Sequence, residues 1–156
     1  MSKKFFTTSS AAKTFPLTLL RDSLLPSLVG TDGELLYWAG KKMAREFILS
    51  KDEELSLFFA EAGFGQLKRV QSHKGTQTFE LSGTVIESRQ AVAEHPNYLL
   101  EAGFLAETIQ NQLGHLTEAS VTGQKKDVVT ILVKVDLNSP ITQDQPNTKN
   151  VLDLLE

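Results

Sequence analysis

The chain has 156 residues, of which 40% are hydrophobic and 22% charged, and its formal net charge is −3. This size and composition are typical of one globular domain with its own core. The acidic balance argues against a nucleic-acid-binding protein, which normally presents a basic face. The absence of cysteine excludes disulfides, thiolate metal sites and a cysteine nucleophile, and it fits a cytoplasmic protein.

The N-terminal part of the chain is predicted to be helical after a short tail. Residues 1–14 are rich in Ser, Thr and Lys, and we expect a mobile tail there. Leucines at helical spacing from Pro16 to Leu28 predict a first helix. Pro26 interrupts this pattern and predicts a kink or a division into two short helices.

Two further helices are predicted before the first strand. Residues 34–49 form the second, and Asp32 is its predicted N-cap. Ser50 and Glu53 match a capping box, which predicts the third helix over residues 51–62.

Two segments with strand-like alternation follow, separated by a helix. Residues 64–72 and 76–86 predict a first hairpin, which turns around His73. Residues 116–122 and 128–135 predict a second hairpin, whose last strand has the strongest β pattern in the chain.

The helix predicted from Asn97 to Gly114 separates the hairpins and organises the fold. Its main apolar face contains Tyr98, Ala102, Leu105, Ala106, Ile109 and Leu113. A second apolar strip lies beside this face and leaves Glu101, Thr108 and Asn111 as a narrow polar edge. Such a helix packs on two sides, against a sheet and another helix. Gly103 lowers helix propensity, so we expect close approach of a neighbouring backbone there.

These elements predict an α+β domain over residues 15–136. Its order is N-terminal helices, a β-hairpin, a long central helix and a second β-hairpin, which form a mainly antiparallel four-stranded sheet packed against helices. We expect most of the C-terminal tail, residues 137–156, to be disordered. The last residues, from Asn150, are amphipathic and could dock on the domain or serve as a partner motif.

No catalytic motif, metal site or cofactor site is identified in the sequence. A nucleophile elbow and a complete dinucleotide fingerprint are both missing. The three histidines, His73, His95 and His115, are predicted to be exposed. No run of about 18 apolar residues is present, so we expect no membrane span.

Three segments together resemble a known family. They are YWAGKKMAREF, the EAGFGQL that ends the third helix, and EAGFLAETIQNQLG. In this order they are similar to the YslB-like proteins of Gram-positive bacteria, which are uncharacterised. The resemblance covers residues 15–135. It implies the element order of vinyl-4-reductase-type domains, Bet3-like transport-complex subunits and haem nitric-oxide-binding domains.

The chain departs from these wider groups at the residues that carry their chemistry. Some vinyl-4-reductase-type domains carry cysteines that bind metal, and Bet3-like subunits carry a lipid on a cysteine, whereas this chain has no cysteine. Haem nitric-oxide-binding domains use a histidine as iron ligand, whereas all three histidines here are predicted to be exposed. The resemblance therefore implies a fold without a cofactor.

Two functional hypotheses remain. The first is a non-enzymatic binding or adaptor domain that forms a homodimer and also binds a protein partner. Its predicted interface residues are Leu20, Leu24, Trp38 and Met43. The second is a sensor of apolar small molecules with a pocket between helix and sheet. Its predicted lining residues are Trp38, Phe47, Phe104 and Ile131. An enzyme related in fold to the vinyl reductases needs convergent polar groups in that pocket, for which the sequence has few candidates.

Overall fold

The computed structural model describes residues 2–30, 33–142 and 150–155, and within them helices pack on an antiparallel sheet. The first helices are α1 (Ser2–Ala11), α2 (Phe15–Thr18), a π-helical segment (Leu19–Leu24), α3 (Leu25–Val29) and α4 (Glu34–Glu46). The later helices are α5 (Glu54–Glu61), α6 (Thr84–Val92) and α7 (Leu99–Leu113). The strands are β1 (Ile48–Leu49), β2 (Gln66–His73), β3 (Thr76–Ser82), β4 (His115–Lys125), β5 (Val128–Pro140) and β6 (Val151–Leu152). No helix in these ranges is long and apolar enough to cross a membrane.

The four-stranded sheet has the order β2–β3–β5–β4, and each neighbouring pair is antiparallel. The two predicted hairpins, β2–β3 and β4–β5, are joined by the pairing of β3 with β5, in which Phe79 lies opposite Ile131. Alternation places Phe79 and Leu81 of β3 and Val129 and Ile131 of β5 in the core. The predicted α+β class and its antiparallel four-stranded sheet are confirmed.

Helix α7 packs against α4 and also against β4 of the sheet. Every residue from Leu100 to Ile109 is buried, because this helix has neighbours on both sides. At its start, the Asn97 side-chain oxygen accepts a hydrogen bond from the Leu99 N–H at 2.8 Å. At its end, Gly114 takes a left-handed conformation with φ of 74°. The predicted end at Gly114 is confirmed, whereas the N-cap position is Tyr98, one residue after the predicted Asn97.

Helices α4 and α7 cross at a pair of glycines. A Cβ added to Gly103 would lie 2.0 Å from the carbonyl oxygen of Tyr37. A Cβ added to Gly40 would lie 2.1 Å from the carbonyl oxygen of Leu100. The expected approach of a neighbouring backbone to Gly103 is therefore confirmed, and Gly40 is its counterpart on α4.

The N-terminal segment differs from the prediction of a mobile tail, because Ser2–Ala11 form helix α1. The rings of Phe5 and Phe6 pack edge-on against Phe15, with centroid distances of 6.4 Å and 5.0 Å. Ser9 is fully buried and its hydroxyl donates to the Phe5 carbonyl at 2.8 Å. The Ser- and Thr-rich composition did not predict this helix, because its ring contacts with the domain come from two phenylalanines, Phe5 and Phe6.

The interruption predicted at Pro26 takes the form of a π-helical segment ahead of it. The chain stays helical from α2 through α3, and Pro26 occupies the first turn of α3, where its missing N–H is tolerated.

The second and third helices are shorter than predicted. Helix α4 ends at Glu46, and Ile48–Leu49 form β1. Its predicted cap, Asp32, lies outside the described residues. Helix α5 begins at Glu54, and the predicted capping box is wrong. The N–H of Lys51 donates instead to the Glu54 carboxylate at 3.1 Å.

Three further elements were missed or misjudged. The strand predicted to reach residue 86 ends at Ser82, because Gly83 turns the chain with φ of 104° into helix α6. Strand β5 continues to Pro140, past its predicted end. Val151–Leu152 form β6, parallel to β1, although most of the tail was predicted to be disordered. Of that prediction, residues 143–149 and 156 lie outside the described ranges, and the domain boundaries at 15 and 136 stay predictions.

Candidate functional site

A pocket of about 830 Å³ lies among the N-terminal helices and the connection between α6 and α7. Most of its wall is apolar. The apolar lining residues are Phe5, Phe6, Phe15, Leu19, Pro26, Val29, Leu36, Val92 and Ala93. Three polar lining residues, Arg21, Asp22 and Asn97, belong to one network of buried contacts and form a polar patch in this wall.

The network begins with a buried ion pair between Arg89 of α6 and Asp22. The Arg89 Nε donates to both carboxylate oxygens of Asp22, at 3.2 Å and 3.0 Å, and one terminal nitrogen donates to Asp22 at 3.0 Å. That nitrogen also donates to the Asn97 carbonyl at 2.8 Å. The two side chains are only 2% and 1% exposed, so this planar two-point contact is held away from water.

Glu101 of α7 completes the network. Its carboxylate is fully buried and lies 2.5 Å from the Arg21 guanidinium and 3.7 Å from that of Arg89. Arg21 also donates to the Asn97 carbonyl at 3.4 Å. We call Arg21, Asp22, Arg89 and Glu101 the buried charge cluster. Its two positive and two negative charges balance, which is what allows four ionised groups to share an apolar surrounding.

The pKa shifts in the cluster reflect this balance. Burial is the largest influence on Glu101 and by itself raises its pKa, but the charges of Arg21 and Arg89 outweigh burial and hold the pKa below its usual range. Burial likewise opposes the charged form of Arg89, yet Glu101 and Asp22 together raise its pKa. Burial raises the pKa of Tyr98 to about 12, and the Arg89 guanidinium lies 4.5 Å from the centre of its ring.

Several polar atoms around the cluster have no hydrogen-bond partner among the described residues. They include the Nε of Arg21 and the hydroxyl of Tyr98. Arg21 is the more informative of the two, because its side chain is only 9% exposed and also lines the pocket. Arg21 therefore lines the pocket while its buried Nε has no hydrogen-bond partner in the described part of the chain.

The four residues predicted to line a pocket between helix and sheet do not line this one. Phe104 and Ile131 are fully buried in the core. The ring of Phe104 stacks on that of Phe58 with a centroid distance of 4.6 Å. The ring of Phe47 also contacts the Phe58 ring, at 5.8 Å between centroids. Trp38 is 59% exposed on α4. The structure brings Phe47 and Phe104 near each other and leaves Trp38 apart on the surface.

The predicted interface residues lie on two parts of the surface. Leu20 and Leu24 belong to the π-helical segment and are 51% and 46% exposed, and Trp38 lies on α4. Met43 is partly buried and packs against the core. Three of the four are therefore accessible to a partner, and their role in a dimer stays a prediction.

The histidines do not gather into a site. His73 and His95 are exposed, as predicted, whereas His115 is half-buried and its Nδ1 lies 3.0 Å from the Leu113 carbonyl. His95 borders the pocket. Within the described ranges, no three His, Cys, Asp or Glu side chains are grouped as metal ligands would be.

Sequence reasoning missed the buried charge cluster. Glu101 and Thr108 were placed on a polar edge of the central helix, and both are buried, at 0% and 2% exposure. Lys41 of α4 is also buried, at 5% exposure. A signal was present, because two adjacent apolar strips on α7 leave too little room for a hydrated edge. The charged pair Arg21–Asp22 inside a leucine-rich helix was a second signal.

Known proteins similar to this chain share its fold and leave its activity open. A curated relative, described as uncharacterized protein YslB of Bacillus subtilis strain 168, is 40% identical over 125 residues, which cover 79% of this chain and 84% of that protein. The crystal structure of a vinyl-4-reductase family protein from Methanocaldococcus jannaschii matches with a TM-score of 0.51 and 20% identity, covering 78% of this chain and 79% of that chain. That likeness shows the fold alone.

The family assignment rests on sequence. The model of a family described as protein of unknown function, DUF2507, matches residues 14–134, which include α2 to α7 and most of the sheet. The resemblance to YslB-like proteins is confirmed by this match and by the Bacillus relative. The chain belongs to the DUF2507 family.

Proposed function

We propose that this protein is a small-molecule-binding domain that takes an amphiphilic ligand into the pocket among its N-terminal helices. The observation that carries this proposal is the pocket, whose volume of about 830 Å³ falls in the range of small-molecule sites. Its wall is mainly apolar and is interrupted by a polar patch, a combination that is typical of ligand sites. The cytoplasm is the setting we propose, in keeping with a chain that lacks cysteine.

Arg21 supports an amphiphilic ligand over a purely apolar one. A buried donor without a partner costs roughly 1–3 kcal/mol. The Arg21 Nε is such a donor among the described residues, and its side chain lines the pocket. A ligand oxygen that accepts from this Nε would remove the cost. We therefore infer a ligand with an apolar body and a hydrogen-bond acceptor such as a carboxylate, sulfonate or carbonyl.

The state of Asp22 favours binding over catalysis. Asp22 is the most buried carboxylate in the pocket wall, and both of its oxygens accept hydrogen bonds from Arg89. Because both oxygens are bound by a buried guanidinium, this carboxylate is engaged as the partner of Arg89 and not with a ligand. The proposed role of this wall is to position a ligand.

Filling the pocket tests the proposal. Leu19 lines the pocket and is 43% exposed, whereas Leu116 lies outside the lining on β4 and is 45% exposed. Leu19→Trp and Leu116→Trp are therefore matched substitutions. We expect Leu19→Trp to weaken binding of anilinonaphthalene sulfonate, an apolar probe with an acidic group, by about tenfold or more, which corresponds to about 1.4 kcal/mol.

The control variant should bind the probe like the wild-type chain. Equal binding by Leu19→Trp and Leu116→Trp would move the ligand site away from this pocket. Native mass spectrometry of the gently purified wild-type chain complements the titration. An added mass that Leu19→Trp loses and Leu116→Trp keeps would identify a bound ligand of this pocket.

A homodimeric adaptor is a second candidate, supported by the exposed apolar residues on the helical surface. Leu20, Leu24 and Leu28 repeat at four-residue spacing and are 51%, 46% and 71% exposed, and Trp38 on α4 is 59% exposed. The three leucines are grouped along one segment, and grouped exposed apolar side chains are typical of protein interfaces.

The adaptor candidate predicts a dimer in solution that depends on these residues. We expect native mass spectrometry to show twice the chain mass, and Leu24→Asp or Trp38→Asp to halve it, because a buried carboxylate without a partner opposes association. Val70→Asp on β2 is the control, since Val70 is 43% exposed and outside the predicted interface. A wild-type chain that is monomeric, or variants that stay dimeric, would contradict this candidate.

A further inference from the structure

The C-terminal segment docks on the domain as an extended strand. Val151 and Leu152 form β6 and pair in parallel with Ile48 and Leu49 of β1. The side chain of Leu152 packs against the hydrophobic core, to which Leu49 also belongs. A chain end rich in polar residues thus contributes an apolar side chain to the folded domain.

Polar contacts hold the segment on both sides of this strand pair. Before it, the Asn150 side chain donates to the Arg45 carbonyl at 3.4 Å. After it, Asp153 forms an ion pair with Lys51 at 3.0 Å. Backbone pairing, an apolar contact and charge complementarity therefore act together over a few residues, as in complexes where a peptide adds a strand to a sheet edge.

The receiving side contains a buried carboxylate, that of Glu54. Its side chain is 0% exposed, although glutamate is rarely buried without partners. One of its oxygens accepts from the Lys51 N–H at 3.1 Å, and the other accepts from the Leu154 N–H at 2.8 Å. Half of the hydrogen bonding of this carboxylate therefore goes to the backbone of the docked segment. A backbone N–H is offered by any extended peptide, whatever its side chain.

We propose that this surface, formed by β1, Lys51 and Glu54 and here named the β1 groove, is a docking site for an extended, acidic, leucine-containing segment of a partner protein. The groove recognises a leucine followed by an aspartate, in an extended segment that pairs in parallel with β1. The chain's own segment, Val151 to Leu154, has this pattern and acts as a tethered competitor. The groove shares no residue with the pocket lining, so this proposal is independent of the ligand.

The matched residues, 14–134, contain every residue of the β1 groove, whereas the docked segment lies beyond them. Tethering raises the local concentration of the chain's own segment into the millimolar range, so a partner segment must bind the groove more tightly or arrive when the tail is displaced.

A labelled peptide with the sequence Asn-Val-Leu-Asp-Leu-Leu, which is residues 150–155, tests the proposal on full chains. In the double variant Leu152→Asp with Asp153→Ser, the tail loses its apolar and charged anchors and the groove becomes available. We expect this tail variant to bind the peptide at least about tenfold more tightly than the wild-type chain, whose own segment competes. A scrambled peptide is the control and should bind neither.

Charge reversal locates the binding in the groove. Adding Lys51→Glu to the tail variant should weaken binding of the peptide by about fivefold or more, and a peptide with Lys in place of its Asp should restore it. Thermal melting of each variant checks that the fold is kept. Equal binding of the peptide to wild type and tail variant would overturn the proposal, as would binding that ignores Lys51.

A second copy of the chain is the competing occupant, and the same proteins distinguish it. If the wild-type chain is dimeric in native mass spectrometry and the tail variant is monomeric, the groove holds the segment of the other copy, and the partner-protein proposal is overturned. If the mass is the same for both chains while the peptide binds as expected, the proposal is supported.

Discussion

Replacing Gly103 by alanine tests how closely helices α4 and α7 approach. An added Cβ would lie 2.0 Å from the carbonyl oxygen of Tyr37, 2.9 Å from its carbonyl carbon and 3.2 Å from the backbone nitrogen of Lys41. Ordinary non-bonded contacts of carbon are near 3.5 Å, so the two helices would have to separate by roughly 1 Å or more. The contacted atoms are backbone atoms of a helix, which cannot turn aside as a flexible side chain can.

The expected change in stability follows from two opposing contributions. Alanine gains about 1 kcal/mol of helix propensity over glycine. Overpacking of a filled core costs about 1–3 kcal/mol and occasionally more, and backbone contacts on a rigid helix place this site at the upper end. We therefore expect Gly103→Ala to lower the free energy of unfolding by about 2 kcal/mol or more, which lowers Tm by roughly 4–8 °C for a chain of this size.

Urea unfolding followed by circular dichroism measures this effect, with Gly123→Ala as the control. At Gly123 on β4 the nearest atoms to an added Cβ are 3.8 Å away, so alanine fits without displacement. Gly40→Ala should be as costly as Gly103→Ala, because its Cβ meets the Leu100 carbonyl at 2.1 Å. The double variant should cost less than the sum, since one separation of the helices relieves both clashes. A Gly103→Ala chain as stable as the control would refute the close approach.

Three further predictions concern the buried charge cluster and its surroundings. Arg89→Met leaves Asp22 buried without its partner and should lower the free energy of unfolding by on the order of 3–5 kcal/mol. The control is Arg69→Met, whose ion pair with Asp52 is 30% and 47% exposed and which should cost less than about 1 kcal/mol. Similar costs for the two variants in urea melts would contradict the burial argument. Because the pKa of Glu101 is lowered in the folded state, this carboxylate stabilises the fold above its ordinary pKa of 4.5, and the stabilisation is lost as pH falls through the folded pKa. Glu101→Gln should therefore reduce the dependence of the free energy of unfolding on pH in this acid range. An unchanged dependence on pH would contradict this prediction. Tyr98→Phe removes a buried hydroxyl that lacks a partner among the described residues and should be neutral or stabilising by up to about 1 kcal/mol, and a clear loss of stability would reveal a hidden partner.

The sequence predicted the parts of the fold that local pattern encodes. The alternation of Phe79 and Leu81 with polar residues identified β3, and the apolar run from Val128 identified β5. The wide apolar surface after Asn97 identified α7 and its packing on two sides. These succeeded because a residue's neighbours at two, three or four positions along the chain decide which face of a strand or helix it joins.

The candidate site was not predictable in the same way. None of the four residues predicted to line a ligand pocket lines the observed one, because Phe104 and Ile131 complete the core instead. The pocket wall depends on helix α1, whose polar composition indicated a mobile tail. Its aromatic contacts with Phe15 form only in the tertiary structure, so the local sequence pattern of residues 2–11 does not predict them.

Composition and periodicity by themselves determined an acidic, cysteine-free α+β chain with two hairpins around a central helix. Only the tertiary structure decided which charged residues are buried. Asp22 and Arg89 are 67 positions apart in the sequence, and each residue by itself would be predicted to lie on the surface. A charge enters an apolar interior when opposite charges arrive there with it, since the cost of dehydration is offset only by partners in direct contact. Those partners come from the π-helical segment, α6 and α7, and no single stretch of sequence contains all three.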